Sequence, residues 1–359
     1  MPETNEPAES SPRTDPPEPV HKRRPRYSGR NPRRFHEKYK ELNPERYASD
    51  VQKVLHSGKT PAGMHRSIMV EEILRVLAPK AGEVVIDATL GYGGHARALL
   101  ERIQPGGKLI GLDVDPIELP RTEERLRAVG FGPDAFAVHR SNFAGLPQVL
   151  AKEAVSGADI ILADLGVSSM QLDNPERGFT YKESGPLDMR MNPSRGEPAS
   201  QFIAHLSTEK LARLLEENAD EPHASLIASA LQARPVGTTK DLACIVRDAI
   251  RAAHPRTDQD ELDGSIRRTF QALRIAVNDE FSALDSFLRN LPSCLQPGGR
   301  VAVLTFHSGE DRRVKKGFQA GYRSGIYSAI ADEVIRPGFE EVRANPRASS
   351  AKLRWAVRS

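Results

Sequence analysis

Cysteine and tryptophan are almost missing from this chain. Two cysteines, Cys244 and Cys294, and one tryptophan, Trp355, occur in 359 residues. Two thiols far apart, in no paired spacing, exclude a disulfide framework and a cysteine-built zinc site, and they fit a reducing compartment. No cluster of other metal-ligating residues stands out, so no metal is expected. No apolar run reaches membrane-spanning length, and the opening Met-Pro-Glu-Thr-Asn-Glu-Pro is acidic and proline-rich, unlike a secretory signal. The chain is expected to be cytoplasmic and free of membrane. Two glycine signatures are absent as well. There is no Gly-x-x-x-x-Gly-Lys-Ser/Thr, which excludes a P-loop cradle for a triphosphate. Gly94 follows Gly93 directly with no third glycine at the right offset, so the dinucleotide pattern Gly-x-Gly-x-x-Gly fails too.

What is present is a different glycine turn. Val84-Val85-Ile86-Asp87 runs into Ala88-Thr89-Leu90-Gly91-Tyr92-Gly93-Gly94-His95, a helical stretch follows, and Leu109-Ile110-Gly111-Leu112 ends in Asp113-Val114-Asp115. An apolar run, a glycine turn, a helix and a second apolar run ending in acid form a β-α-β unit suited to a nucleoside. Asp113, roughly twenty residues beyond the turn, is placed to accept hydrogen bonds from ribose hydroxyls. A ligand with ribose but no pyrophosphate fits this pattern, with S-adenosylmethionine the usual example. The competing reading is a tight strand–helix connection without a ligand, which the position of Asp113 disfavours.

Length suggests two domains, or one large domain with an insertion. The net charge of +3 is small but unevenly spread. Residues 1–20 are acidic and proline-rich, and residues 21–47 are crowded with Lys and Arg. Neither stretch has an apolar period, so the N-terminal extension, 1–60, is expected to be disordered. The basic block reads either as a solvated tail or as an electrostatic arm for RNA, with Tyr27, Phe35 and Tyr39 interleaved among its charges.

Along the rest of the chain, helices are expected at Ile68–Leu77, His95–Arg102 and Glu118–Ala128, and strands at Val84–Asp87, Lys108–Asp113, Phe136–His139 and Ala158–Asp164. Ser168–Gly196 reads as a polar loop. Thr208–Asn218, Ala224–Gln232 and Thr238–Ala252 read as helices, the last opened by a Thr238/Asp241 capping box. Phe270, Leu273, Val277, Phe281, Leu284 and Leu288 form one apolar stripe, which predicts a single helix over Arg267–Leu291. Pro297-Gly298-Gly299 reads as a turn, Val301–Phe306 as a strand, His307 to Arg312 as the opening of a helix, and Ala351–Arg358 as a last strand. The pattern is α/β, an open parallel sheet covered by helices on both faces. Residues 172–264 form an all-helical insertion between 61–171 and 265–359.

With these residues assembled, the chain resembles the bacterial family of small-subunit ribosomal RNA cytosine-N4 methyltransferases. The resemblance covers roughly His65 to the C-terminus. It rests on Asp87 to His95, Asp164-Leu165-Gly166-Val167-Ser168-Ser169-Met170-Gln171-Leu172-Asp173, Arg177-Gly178-Phe179, Gly185-Pro186-Leu187-Asp188-Met189-Arg190-Met191 and Thr269 to Asn278. Phe306-His307-Ser308 with Glu310-Asp311-Arg312, and Asn345-Pro346-Arg347 with Ser350 to Arg354, complete it. It implies a Rossmann-like, S-adenosylmethionine-dependent sheet and a helical insertion for substrate recognition. The implied reaction is methylation of a decoding-centre cytosine in the RNA of a small subunit or late assembly intermediate. Its cofactor contacts carry over to Gly93, Gly94, His95, Asp113, Phe143, Asp164 and Gln171. The chain departs from the family at Gly309, where leucine is usual, and at Gly264-Ser265-Ile266-Arg267, where His-Pro-Ala-Thr is usual. It departs also at Ser349, where arginine is usual, and at Ala219-Asp220-Glu221 in place of Gly-Glu-Glu.

Methyl transfer to an exocyclic amine needs nitrogen and methyl held in line, and an acceptor on the amine hydrogens. Asp164, ending a buried strand, is the candidate proton acceptor, with backbone carbonyls of the same loop as the alternative. No aromatic follows it directly, so base stacking falls to Phe179 or Tyr181. Arg177, Arg190, Arg274, Asn278, His307, Arg312 and Arg347 are candidate RNA contacts. An Asp188–Arg190 pair reads as structural or catalytic, and His95 as a ligand contact or a packing residue. The target base must leave its stack to reach a donor at strand ends. A second function class also fits these residues: a non-catalytic RNA-binding assembly factor that keeps the fold. The oligomeric state is open between monomer and homodimer.

Overall fold

The computed structural model describes residues 67–359. The N-terminal stretch expected to be disordered, and the domain start expected at 61, lie outside the described residues.

Short runs rich in branched aliphatic residues make the strands. These are β1 (Val84–Asp87), β2 (Lys108–Asp113), β3 (Phe136–Arg140), β4 (Ala158–Asp164), β5 (Leu295–Thr305), β6 (Tyr327–Ile330) and β7 (Lys352–Arg358). They form a sheet in the order β3-β2-β1-β4-β5-β7-β6. The first five neighbours pair parallel, whereas β7 is antiparallel to both β5 and β6. The all-parallel expectation therefore holds for five strands and fails for the last two. Alternation along the central strands feeds two cores. Ile86, Ile110, Ile161 and Val301 face one layer of helices; Val85, Leu109, Ile160 and Ala302 face the other. Each fully buried side chain of this kind contributes roughly 1.5–3 kcal/mol.

Helices α1 (Val70–Leu77), α2 (Gly94–Ile103) and α3 (Glu118–Ala128) cover one face. Helix α4 (Leu146–Lys152) lies on the other. After β4 comes α5 (Ser169–Asp173), inside the segment expected to be a loop. It is nucleated by a full capping box: the Ser168 hydroxyl accepts the Gln171 amide hydrogen, and the Gln171 side chain accepts that of Ser168.

Next come α6 (Ala199–His205), α7 (Thr208–Ala219), α8 (Ala224–Gln232), α9 (Thr239–Ala253) and α10 (Gln259–Asn278). They close a third hydrophobic core around Leu211, Leu215, Ile227, Leu242, Val246 and Leu262. The Thr238/Asp241 capping box opens α9 as expected. That core also takes in Ile266, Phe270 and Leu273, so α10 runs through the expected boundary at 264 rather than starting after it.

The single helix expected over Arg267–Leu291 is two. Asp279 adopts a left-handed conformation, φ 51°, ending α10 and opening α11 (Glu280–Cys294). The apolar stripe is divided by this break. Phe270, Leu273 and Val277 join the helical core, while Leu284, Phe287 and Leu288 join the sheet. Pro297-Gly298-Gly299 is not a turn between elements. It loops out within β5, where the pairing slips from Ala158 opposite Leu295 to Ile160 opposite Arg300. Helices α12 (Ser308–Arg323) and α13 (Phe339–Ala344) complete the chain.

Strand order reverses between β1 and β4, which sends their following loops to opposite sides of the sheet. A crevice therefore opens at the carboxyl ends of these strands, the usual ligand position in open α/β sheets.

Candidate active site

A cavity of about 440 Å³ fills that crevice. Its walls come from the turn after β1, the ends of β2 and β4, the loop at Asn142 and Phe143, the α10–α11 junction and the segment 345–350. Asp113 ties two walls together: its Oδ2 accepts the Gly91 amide hydrogen at 2.8 Å and its Oδ1 that of Asp115 at 2.9 Å. Each carboxylate oxygen retains capacity for a further hydrogen bond, as ribose recognition requires. The glycines of the turn answer first to protein neighbours. Gly93 sits at φ 84°, and a Cβ there would lie 2.8 Å from Thr122 Cγ2; one on Gly94 would lie 2.0 Å from Ser67 Oγ.

Three carboxyls, one buried at Asp87 and two part-buried at Asp113 and Asp164, set the electrostatics. Burial pushes Asp87 up to about 7, and it pushes Asp164 to about 7 with help from the Glu310 charge. Asp113 is raised as well, by burial. Oδ2 of Asp87 and Oδ1 of Asp164 are buried without a hydrogen-bond partner among the described residues. His95 interacts with both carboxyls. Its Nε2 is 2.9 Å from the Ile68 carbonyl, which fixes the proton there, and its Nδ1 stands 3.5 Å from Asp164 Oδ2. Burial lowers the His95 pKa, so the ring is neutral and turns a lone pair towards Asp164. That contact is favourable when Asp164 carries its proton.

Of the other expected cofactor residues, Phe143 lines the cavity and packs edge-on against Phe287 at 5.4 Å. Gln171 also lines it, donating to Asp115 Oδ2 at 2.8 Å. Asp115 is a hub that sequence reasoning missed. It is 1% exposed, and its other oxygen accepts from Ile117 at 2.9 Å.

The expected RNA contacts divide. Arg177 is buried: Nη1 donates to Asp115 Oδ2 at 2.7 Å and Nη2 to the carbonyls of Arg190 and Met191. Its guanidinium locks the loop onto the cavity wall and is not offered to phosphate. Asn278 is similarly committed. Its Oδ1 accepts from Met191 and its Nδ2 donates to the Met189 and Arg274 carbonyls, so it holds the 189–191 loop rather than presenting itself to a base. His307 caps α12, with Nδ1 accepting from Glu310 at 3.4 Å and Nε2 3.1 Å from Glu310 Oε1, outside the cavity lining. Arg190 makes a two-pronged pair with Asp188, at 2.8 and 2.7 Å. Arg274 lines the cavity in a two-pronged pair with Glu280, Nε and Nη2 each at 2.8 Å. Arg347 also lines it and holds Asp173. Arg312 is exposed, 3.5 Å from Asp220. Phe179 is buried in the helical core and Tyr181 packs on Phe270, so neither lines the cavity. Sequence reasoning also left out Glu280 and Glu310, both of which do.

The model of the MraW methylase family matches residues 62–359. The chain belongs to that family. Among curated relatives, "Ribosomal RNA small subunit methyltransferase H 1" of Agathobacter rectalis is 50% identical over 344 residues, covering 94% of this chain and 98% of its own. "Ribosomal RNA small subunit methyltransferase H 2" of Alkaliphilus metalliredigens is 50% identical over 342 residues, covering 94% and 97%.

The methylase uses S-adenosylmethionine as methyl donor. The cleft fits it. This donor carries a sulfonium and an ammonium, and the Asp113 and Asp164 carboxyls line the cavity, with Asp164 Oδ1 lacking a hydrogen-bond partner among the described residues. The departures of this methylase from the family pattern have local causes. A Cβ on Gly309 would lie 2.7 Å from Phe281 Cζ, because the Phe281 ring, with Arg313 stacked 3.6 Å above its centroid, fills the space. Ser265 is buried and donates to Glu221 Oε1 at 3.0 Å, while Arg268 bonds both Glu221 and Ser265. Ser349 is exposed, its hydroxyl donating to the Pro346 carbonyl. None of the three lines the cavity.

Proposed function

We propose that this methylase transfers a methyl group to the N4 amino nitrogen of a cytosine in the decoding centre of small-subunit (16S) ribosomal RNA. The substrate is the RNA within the small subunit or a late assembly intermediate. The names of relatives that are about half identical and match nearly end to end support the RNA class. The observation that carries the chemistry is the Asp164 carboxyl, at the end of β4, facing the cavity with one oxygen unpartnered. In this reading Gly93, Gly94, His95, Asp113, Phe143, Asp164 and Gln171 surround the donor. Asp113 takes the ribose hydroxyls and Phe143 lies against the adenine.

S-adenosylmethionine supplies an electrophilic methyl carbon when bound. Cytosine N4 is a weak nucleophile because its lone pair is delocalised into the ring. Asp164 accepts a hydrogen bond from N4–H, localises that pair, and takes the proton as the carbon–nitrogen bond forms and the methyl–sulfur bond breaks, its electron pair leaving on the sulfur of S-adenosylhomocysteine. A carboxyl raised to about 7 suits this task, since a base is most effective near the working pH. Met191 and Leu284 give the chamber apolar walls that exclude water from the reacting atoms. The helical block of α6 to α10 is the RNA-docking part, with Arg347 on the cavity wall and Arg312, exposed beside Asp220, as phosphate contacts.

The test uses subunits from cells lacking the enzyme and donor labelled in its methyl group. Label is expected on cytosine N4 in small-subunit RNA. Label absent from that nitrogen, with the donor bound, refutes the reading.

A further inference from the structure

Arg274 is a partly buried cation on the cavity wall. It sits just before the last turn of α10, five residues ahead of the break at Asp279, and the break brings Glu280 back to meet it. Glu280 holds Nε and Nη2 at 2.8 Å each, leaving the plane of the guanidinium fixed. Glu310 Oε1 lies 3.9 Å from Nη2. Nη1 has no hydrogen-bond acceptor among the described residues, although the residue lines the cavity. It points past Gly166, where a Cβ would sit 3.7 Å from it, two residues after Asp164. Gly166 is at φ 96°, so the loop is shaped to leave that approach open.

Two opposite functions therefore meet on one wall: an acceptor at Asp164 and a fixed, unspent donor at Arg274 Nη1. Cytosine presents, along one edge, an amine that donates and then N3 and O2, which accept. Uracil presents the reverse at its first two positions, a carbonyl and an N–H. A site built to pair polar groups rejects the wrong pattern far more strongly than an apolar pocket does, because mismatched groups are left buried and unpaired.

We infer that Arg274, held by Glu280, is the residue that recognises the flipped pyrimidine, its Nη1 donating to the O2 carbonyl (and N3) while Asp164 receives the N4 amine. This deepens the proposed cytosine reading and rests on it. Arg274 is thus committed to a base and not to phosphate, unlike a surface arginine.

The experiment is a cycle between protein and substrate. Wild type, Arg274→Met and Arg274→Lys are assayed on small subunits reconstituted with RNA carrying either cytidine or 2-thiocytidine at the methylated position. The sulfur is a poor acceptor, so it removes the proposed contact from the RNA side. Binding of S-adenosylhomocysteine, measured by calorimetry, is expected to stay within about threefold for every variant, since the contact is to the base. On cytidine, kcat/KM is expected to fall by roughly 10- to 150-fold in Arg274→Met, the range for a hydrogen bond to a charged group. On 2-thiocytidine, wild type is expected to lose a similar factor, and Arg274→Met to lose almost nothing more. Independent, multiplying losses overturn the assignment, as does an Arg274→Met enzyme of wild-type efficiency. Should Arg274→Met fail to fold, Arg274→Lys, which keeps the charge but moves the donor, is read by the same criterion. If wild type leaves cytosine N4 unlabelled, the parent reading falls and takes this one with it. If wild type labels N4 and the losses multiply, only the role of Arg274 falls.

Discussion

Asp87 and Asp164 hold their protons to about pH 7 in the free protein, because burial penalises the charged form. The sign of the pH effect follows. A donor with a sulfonium and an ammonium favours the ionised form of Asp164, the one of the two that lines the cavity, so binding expels a proton below pH 7. Affinity for S-adenosylmethionine is expected to rise between pH 6 and 8 and then flatten. S-adenosylhomocysteine lacks the sulfonium charge and is expected to give a shallower curve. Calorimetry across that range checks both, and identical slopes would contradict the argument. The same groups act oppositely on folding. Unfolded, they ionise near 3.8; folded, near 7, so the free protein is expected to lose stability as pH rises from about 4 to 7 and to hold steady above. Asp164→Asn keeps the shape and one hydrogen-bond-accepting oxygen but removes the group that takes the proton. Single-turnover methyl transfer at saturating donor is expected to drop roughly 10²- to 10⁴-fold, the usual share of a positioned base.

Among the elements, the α10–α11 junction is the most consequential. Asp279 is a non-glycine residue at φ 51°. A β-branched residue tolerates that region poorly, so Asp279→Val is expected to cost about 1–2 kcal/mol, seen as a lower melting temperature. It is expected also to impair methyl transfer by displacing Glu280 from Arg274. In the first turn of α12, Gly309→Leu restores the family residue but drives it into Phe281. A loss of about 1–3 kcal/mol is expected, partly recovered in Gly309→Leu with Phe281→Ala. A smaller melting change in the single than in the double variant would contradict the packing account.

The same elements explain what could be read from sequence. Strands β1, β2 and β4 were legible because each is an apolar run ending in acid, and their ends carry Asp87, Asp113 and Asp164. Helix α5 announced itself through Ser168 and Gln171, a capping signature passed over amid polar residues. The break at Asp279 was illegible, because the spacing of Phe270 to Leu288 continues unperturbed across it; periodicity reports a face, not which core that face meets. The pairs that define the wall are distant or unpatterned. Arg177 meets Asp115 across 62 positions, and Arg274 meets Glu280 only because the chain turns between them. Burial reversed the expected exposure of Arg177 for that reason.

At the scale of the whole molecule, one rod joins the two halves. Helix α10 spans 20 residues, about 30 Å. Leu262 and Ile266 anchor it in the helical core, and its other end carries Arg274 and Asn278 into the cavity. No helix among the described residues is long and apolar enough to cross a membrane.

The placement of β7 has a further consequence, for biogenesis. This strand lies between β5 and β6 although both are made before it. Until residues 352–358 arrive, the flank of β5, with Val301 and Val303, stays uncovered, and such a naked rim recruits other chains. A polypeptide halted after Ser350 is expected to clump rather than persist as a weakened enzyme, and sedimentation of that fragment beside the intact chain would reveal it.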